Sequence, residues 1–331
     1  MKSLLLKFVL TPIGLLLVLV AAGVWYMLHV PGVSHHGALA VMTAAESELS
    51  QQLRRHVAAI ASTPHNTAHF ENLTRAAAYI ERGLRSLGYK PTRQTYDARG
   101  LPVWNIEATI EPTIPNAPSL VIGAHYDSAG DAPGANDNGT GVAALLEIAR
   151  ELRAGPSPRQ RIRLVFFVNE EPPYFRTDLM GSRKYAALLQ ERHEHVSGMI
   201  SLETLGAFSD VPGSQQYPAP FNLLLPNVGN FIAFVAMPGS RAFMHEVIGT
   251  FRKQTQFPTV GGVAPAIVQG VDWSDHASFA SLGIPALMIT DTAVFRYRYY
   301  HTQQDTPDKV DYHKLARITR GLALTVRTLA D

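Results

Sequence analysis

The chain has 331 residues, of which 46% are hydrophobic and 17% are charged, with no cysteine and a formal net charge of +2. This length and apolar share exclude a disordered chain. The missing cysteine excludes a disulfide framework, a thiolate metal site and a cysteine nucleophile, and the small net charge argues against nucleic acid as the main partner.

The first apolar segment is Phe8–Val30, 23 residues whose only polar members are Thr11 and His29. As a helix it would be about 34 Å long, enough to cross a hydrocarbon core of about 30 Å. Lys2 and Lys7 precede it, and no acidic residue occurs in this part of the chain, which indicates a cytoplasmic N-terminus. We therefore predict a transmembrane anchor. The alternatives are a cleaved signal peptide, whose apolar region is normally shorter, and a buried helix.

These features divide the chain into four parts. We predict a cytoplasmic tail at residues 1–7, the anchor at 8–30, a linker at 31–42 and one folded domain at 43–331. The anchor implies membrane lipid as a partner and an extracytoplasmic domain, either periplasmic or external. Without the two lysines of the tail, the chain has 27 basic and 27 acidic residues, so the predicted domain is neutral.

Strand and helix patterns alternate over most of this domain. The predicted strands are Val103–Ile110, Ser119–Ala124, Arg161–Asn169, Gly198–Leu202 and Ile284–Thr290. The predicted helices are Thr43–Ser62, Thr67–Leu87, Thr140–Leu152, Gly181–Glu191, Arg241–Lys253, Asp275–Leu282 and Tyr312–Leu329. The run Leu164–Val168 is apolar without alternation, as in a strand buried on both faces. The pattern predicts an α/β domain with a largely parallel central sheet.

Side chains that can bind metal follow four of the predicted strands, and one more precedes a helix. They are His125, Asp127, Asp137, Glu170, Glu171, Glu203 and His301. In α/β sheets ligands gather at the carboxyl ends of the strands. The adjacent carboxylates Glu170 and Glu171 end an apolar strand, where burial without a compensating charge would be costly. A divalent cation supplies that compensation.

The order of these residues resembles that of the co-catalytic zinc aminopeptidases, a family of zinc exopeptidases that includes secreted bacterial leucyl aminopeptidases and aminopeptidase Y. The motifs that carry the resemblance are Gly123–Ser128, Gly134–Gly141, Phe166–Glu171, Gly181-Ser182, Ser274–His276, Gly283–Ala286, Tyr300–Thr302 and Asp305-Thr306. The resemblance as a whole covers roughly residues 45–331. The resemblance implies a three-layer αβα domain with two zinc ions per chain.

The resemblance also implies a role for each metal-binding position. His125 and Glu203 would bind one zinc, His301 and Glu171 the other, and the Asp137 carboxylate would bridge the two. Glu203 stands where the family usually has aspartate. Imidazole and carboxylate ligands without thiolate suit zinc.

Two further positions are predicted to act in catalysis. Glu170 would be the general base that takes a proton from a metal-bridged water. Asp127 would hold the distal nitrogen of His125. The predicted function is a membrane-anchored zinc metallo-exopeptidase, an aminopeptidase acting on peptides with a free N-terminus.

Two alternative functions stay open from the sequence. A glutaminyl-cyclase-like acyltransferase on the same scaffold would use one zinc, held by Asp137, Glu171 and His301. An inactive ectodomain that binds a partner through a protease-like fold is the other, and the retention of all five ligands together with Glu170 argues against it.

Two other regions are predicted to lie around the site. The Pro- and Gly-rich stretch Ala207–Pro238 is interpreted as a loop insertion that covers the pocket, with packed scaffold or a membrane-facing patch as alternatives. Asp275, His276 and Asp305 are predicted to brace the site.

Overall fold

The structure, a computed structural model, describes the backbone of residues 2–331 and the side chains of residues 13–331. Its first helix, α1, is Lys2–Leu28. Over the residues described with their side chains, no helix is both long enough and apolar enough to cross a membrane. The predicted tail and the start of the predicted anchor lie outside those residues, so both stay predictions.

Within the described residues, eight strands form one sheet in the order β1-β2-β4-β3-β5-β8-β6-β7. The strands are β1 (Thr92–Ala98), β2 (Leu101–Ile110), β3 (Ser119–His125), β4 (Arg161–Phe167), β5 (Val196–Glu203), β6 (Ile232–Ala236), β7 (Thr259–Val263) and β8 (Ala286–Thr290). The pairs β3–β4, β3–β5, β5–β8 and β6–β7 are parallel. The pairs β1–β2, β2–β4 and β6–β8 are antiparallel. The sheet is therefore mixed, with a parallel centre.

Helices cover both faces of this sheet. After α1 they are α2 (Ala44–Ile60), α3 (Phe70–Ser86), α4 (Thr140–Ala154), α5 (Gly181–Glu191), α6 (Arg241–Gln254), α7 (His276–Ala280), α8 (Ala293–Arg296) and α9 (Tyr312–Ala330). Helices α2, α3, α4, α6 and α9 pack over one face, where Leu120 and Ile122 of β3 point. Helices α5 and α7 pack over the other face, where Val121 points. The domain thus has three layers, αβα.

Local sequence explains why these elements form where they do. Helix α2 begins after Thr43, whose hydroxyl accepts the backbone N–H of Glu46 while the Glu46 carboxylate accepts that of Thr43. This reciprocal pair is a capping box. Strand β4 is buried from Ile162 to Phe167, as its unbroken apolar run predicts.

All strands and helices predicted for the domain are present, with small shifts at their ends. Strands β1, β6 and β7 and helix α8 were not predicted. The interpretation of Ala207–Pro238 as a loop insertion is wrong for its last part, because Ile232–Ala236 is strand β6. This strand pairs with β8 on one side and β7 on the other, and most of its side chains are buried.

Candidate metal and active site

The predicted site residues meet at the carboxyl ends of the parallel strands. His125 and Glu203 are the last residues of β3 and β5, and Glu171 follows β4. Asp137 lies in the turn before α4, and His301 in the loop after α8. Four of these side chains are buried, and His301 is about one-third exposed. Parallel strands end at one edge of the sheet, so residues far apart in the sequence converge there.

Asp137 occupies the middle of this cluster, with one carboxylate oxygen directed to each side. Its Oδ1 lies 3.2 Å from His125 Nε2, and its Oδ2 lies 3.0 Å from His301 Nε2. Glu203 Oε2 approaches the same His125 nitrogen to 3.4 Å, and Glu171 Oε1 approaches the same His301 nitrogen to 3.2 Å. The five side chains thus form two sets of donor atoms that share one carboxylate.

The donor atoms of this cluster fit a cation. His125 Nε2, Asp137 Oδ1 and Glu171 Oε1 are buried and make no hydrogen bond within the described part of the chain. Donor atoms of the same three residues lie within 4.8 Å of one another. Buried polar atoms without a partner are rare and costly in folded proteins. Their imidazole and carboxylate chemistry, without thiolate, is that of zinc ligands.

The pKa shifts within the cluster reflect the same excess of negative charge. Burial lowers the pKa of His301, but hydrogen bonds to Asp137 and Glu171 and the charges of those carboxylates outweigh it and raise that pKa to about 11. Burial raises the pKa of Glu171 to about 8, and the neighbouring Asp137 charge contributes to the rise. Without a cation, the site therefore takes up protons to offset its carboxylates, and a divalent ion would replace them.

Glu170 lies beside the cluster and outside both donor sets. Its Oε2 is 3.9 Å from His125 Nε2, and the side chain is buried. Burial raises the pKa of the Glu170 carboxyl well above its usual range, and the charges of Glu171 and Glu203 add to the effect. A carboxylate with a raised pKa is suited to accept and return a proton near neutral pH.

The carboxylate of Asp127 positions the backbone of the segment that follows β4. Its Oδ1 and Oδ2 accept the backbone N–H groups of Glu170 and Glu171, each at 3.1 Å. Asp127 contacts the distal nitrogen of His125, as predicted, through its backbone carbonyl, which accepts the Nδ1 proton at 3.1 Å, while its carboxylate lies 3.6 Å from the same nitrogen. The carboxylate is engaged by the two backbone amides instead. With Nδ1 protonated, Nε2 of neutral His125 presents its lone pair to a metal.

Asp305 braces the site, as predicted, by holding the turn that carries Asp137. Its two oxygens accept the backbone N–H groups of Asn136 at 2.8 Å and Asp137 at 3.0 Å, and Tyr297 donates to it at 2.8 Å. A buried carboxylate bound to two consecutive amides fixes the orientation of the segment between them.

Other supporting residues were not predicted to have these roles. The Ser274 hydroxyl donates to Glu203 Oε2 at 2.8 Å, and its place directly before Asp275 was the available signal. Asn138 Oδ1 accepts the backbone N–H of Thr204 at 3.1 Å, which holds the turn that carries Asp137 against the end of β5. The Tyr300 ring stacks on His301 with 3.9 Å between centroids.

An apolar cavity lies directly next to the cluster. Glu203 and Tyr300 form part of its wall, and much of the remaining wall is aromatic and aliphatic, including Tyr217, Phe221 and Trp273. With its open mouth included, it encloses about 950 Å³. An apolar pocket with a few polar groups at one end is the usual form of a small-ligand site.

The chain is similar to known proteins over most of its length. The profile of peptidase family M28 matches residues 105–326. The chain is 38% identical to the Escherichia coli (strain K12) protein YfbL over 82% of its own length and 86% of that protein. It is 26% identical to leucine aminopeptidase 1 of Arthroderma otae over 68% of its own length, and spans 58% of that longer protein.

Two groups of solved structures share the fold. The Legionella pneumophila LapA aminopeptidase superposes with a TM-score of 0.68 at 18% identity, covering 89% of this chain and 78% of that one. The Porphyromonas gingivalis glutaminyl cyclase superposes with a TM-score of 0.65 at 20% identity, covering 87% of this chain and all of that one. At these identities the likeness concerns the fold alone.

Proposed function

Because the chain belongs to peptidase family M28, we propose that it is an aminopeptidase that removes N-terminal residues from peptides. Family membership makes it a zinc-dependent peptidase. The observation that carries the finer proposal is the position of Asp137, whose two carboxylate oxygens face two different imidazoles at 3.2 and 3.0 Å. A shared carboxylate of this kind is what two neighbouring divalent ions require to offset their repulsion.

The proposed ligands divide between two zinc ions. His125, Glu203 and one oxygen of Asp137 would hold the first, and His301, Glu171 and the other oxygen of Asp137 the second. The extra methylene of Glu203, compared with the aspartate usual in the family, is accommodated because Ser274 binds its Oε2 and directs the carboxylate towards His125.

The chemistry follows from these groups. When bound, zinc lowers the pKa of water towards neutrality and polarises a carbonyl oxygen. Glu170 would accept the proton of the attacking water and deliver it to the departing amine. Its amide is fixed by Asp127, so the carboxylate stays beside the cluster without joining it.

The apolar cavity supports selection of an apolar N-terminal residue. It begins at Glu203 and Tyr300 and continues along Tyr217, Phe221 and Trp273. A substrate whose scissile carbonyl lies at the cluster would place its first side chain in this space. Removing a large apolar side chain from water stabilises the complex by about 1.5–3 kcal/mol.

The proposed location is a membrane surface, with the domain outside the cytoplasm. The described part of α1 supports an anchor, because its large apolar side chains are exposed. These are Leu15, Leu16, Leu17, Val18, Leu19 and Val20, each 55–64% exposed. A helix that is apolar on all faces is typical of a membrane environment.

A single-zinc glutaminyl cyclase is the second candidate, favoured by the shared fold. Asp137, Glu171 and His301 alone could hold its ion. The presence of a second donor set, with His125 and Glu203 3.4 Å apart, favours the peptidase. An inactive ectodomain would have no use for a buried base at Glu170 beside intact donor sets.

The test is a substrate panel assayed on the zinc-loaded full chain. We expect hydrolysis of aminoacyl p-nitroanilides with apolar first residues, and none when the same substrates are N-acetylated. Conversion of N-terminal glutamine to pyroglutamate without hydrolysis would instead identify a cyclase. Absence of both reactions in a chain that binds zinc would overturn the proposal.

A further inference from the structure

The apolar cavity extends away from the metal site to the N-terminal helix. Glu203 and Tyr300 line it beside the cluster, and Leu28, the last residue of α1, lines it as well. Gly261 and Gly262 of β7 form part of the same wall. A residue outside the predicted domain therefore contributes to the space next to the candidate active site.

The segment around Leu28 is held against the domain by directional contacts. Arg252 of α6 donates to the backbone carbonyls of Pro31 at 2.7 Å and Gly32 at 2.9 Å. The Ser34 hydroxyl accepts the backbone N–H of Thr259, the first residue of β7, at 2.8 Å. Hydrogen bonds from a charged guanidinium are stronger than neutral ones. The chain between α1 and α2 is thus tied along the outer strand of the sheet.

Two glycines in β7 allow this close approach. A Cβ atom at Gly262 would lie 3.0 Å from the carbonyl oxygen of Met27 and 3.4 Å from Leu28 Cδ2. At Gly261 it would lie 2.6 Å from Ile248 Cδ1 of α6 and 3.1 Å from a methyl carbon of Val30, so this glycine also makes room for α6. Neither glycine has a positive φ, so the strand geometry itself does not need glycine. Adjacent glycines in a strand mark the close approach of another chain segment, which here is the end of α1.

We propose that Leu28, held in place by the contacts of Pro31, Gly32 and Ser34, closes the substrate pocket and is a specificity-determining residue. The ligand is the large apolar side chain of an N-terminal residue, such as leucine or phenylalanine. This inference rests on the proposed aminopeptidase function, since the pocket lies beside the proposed zinc site. The membrane-proximal segment therefore has a second role beyond attachment.

A change in size at Leu28 tests this role in the full chain. In Leu28→Trp the indole fills the end of the pocket, and we expect kcat/KM for phenylalanine and leucine p-nitroanilides to fall about tenfold or more while alanine changes less than twofold. In Leu28→Ala the pocket is longer, and the ratio of phenylalanine to leucine turnover rises. Leu19→Trp is the matched control, because Leu19 is 60% exposed on the same helix and does not line the cavity.

A second variant acts on the segment without changing the pocket lining. Arg252→Gln removes the guanidinium bonds to Pro31 and Gly32 together with those to Thr259 at the start of β7, and neither Arg252 nor Thr259 lines the cavity. We expect the selectivity for leucine over alanine to decrease severalfold. Thermal unfolding of each variant separates this effect from loss of the fold.

The outcomes distinguish the inference from the proposed function. Equal loss on all substrates, or an unchanged profile in Leu28→Trp and Leu28→Ala, overturns the inference while the parent remains an aminopeptidase. A parent that hydrolyses none of the substrates overturns the proposed function. In that case calorimetric binding of phenylalaninamide still tests the pocket, and unchanged affinity in Leu28→Trp overturns the inference.

Discussion

The carboxylate of Asp305 accepts the backbone N–H of Asp137 at 3.0 Å, so a residue near the end of the chain orients the central carboxylate of the proposed metal site. Asp305 also accepts the N–H of Asn136 and the hydroxyl of Tyr297. The contact joins positions 168 residues apart in the sequence. Its strength decides how well the two oxygens of Asp137 are directed to His125 and His301.

Asp305→Asn tests this dependence. The amide nitrogen of asparagine cannot accept a backbone N–H, so one of the two bonds is lost and the turn is less well fixed. We expect zinc affinity or turnover to fall about 10- to 100-fold, measured by competition with a chelator and by steady-state kinetics. Asp308→Asn is the control, since Asp308 is exposed and bonds only Thr306 and Lys309. Equal zinc affinity and turnover in both variants would show that the brace is not needed.

Glu170→Gln tests the proposed general base. Glutamine keeps the size of the side chain and leaves the backbone bond to Asp127 in place, but it cannot accept the proton of the attacking water. We expect kcat to fall about 10²- to 10⁴-fold with zinc content unchanged by elemental analysis. Glu171→Gln is the matched comparison, because Glu171 belongs to a donor set and its change should lower zinc content. Near-normal turnover in Glu170→Gln would rule out the assigned role.

Removal of single ligands tests the two donor sets. The parent is expected to bind two zinc ions per chain. His125→Ala should lose the ion shared with Glu203, and His301→Ala the ion shared with Glu171. Elemental analysis after dialysis at fixed zinc concentration gives the count. One zinc in the parent, unaffected by His125→Ala, would contradict the two-set arrangement and favour the cyclase.

Much of the fold could be predicted from local pattern. The unbroken apolar run of β4 and the helical periodicity around α4, α5 and α9 report burial directly. Strand β1 was missed because its residues are mostly polar and partly exposed at the edge of the sheet. Strands β6 and β7 were missed because their identity depends on pairing with β8, and β7 contains two glycines that lower its strand propensity.

The candidate site, like the fold, could be predicted only in part from local sequence. His125, Glu171 and Glu203 follow strands, and strand ends converge in parallel sheets, so their meeting could be predicted. The exact partner atom of His125 depends on the path of the loop through Asp127, which no residue pattern specifies. The wall contributed by Leu28 depends on a contact between α1 and the edge strand β7, two elements far apart in the sequence, and only the paired glycines of β7 indicated it.

A partly buried ion-pair network far from the site supplies a stability prediction. Arg163 of β4 donates to Glu194 at 2.6 Å through both Nε and Nη2, and also pairs with Glu107. Arg163→Met leaves the two partly buried carboxylates without their arginine, so we expect the free energy of unfolding to fall by about 1.5–3 kcal/mol, measured by urea denaturation. Arg161→Met is the control on the same strand, because its partner Glu111 is exposed and the pair contributes about 0–1 kcal/mol.

The pH dependence of the Arg163→Met effect gives an independent check. Burial raises the pKa of the Glu194 carboxyl, but hydrogen bonds from Arg163 and Ser119 outweigh it and hold that pKa below its ordinary value of 4.5. A group with a lowered folded-state pKa stabilises the protein above its unfolded pKa and loses that contribution as the pH falls. The stability difference between parent and Arg163→Met should therefore be full at pH 7 and decrease below about pH 4.5. A difference that stays constant from pH 7 to pH 3 would mean that Arg163 acts through packing of its side chain and not through its charge.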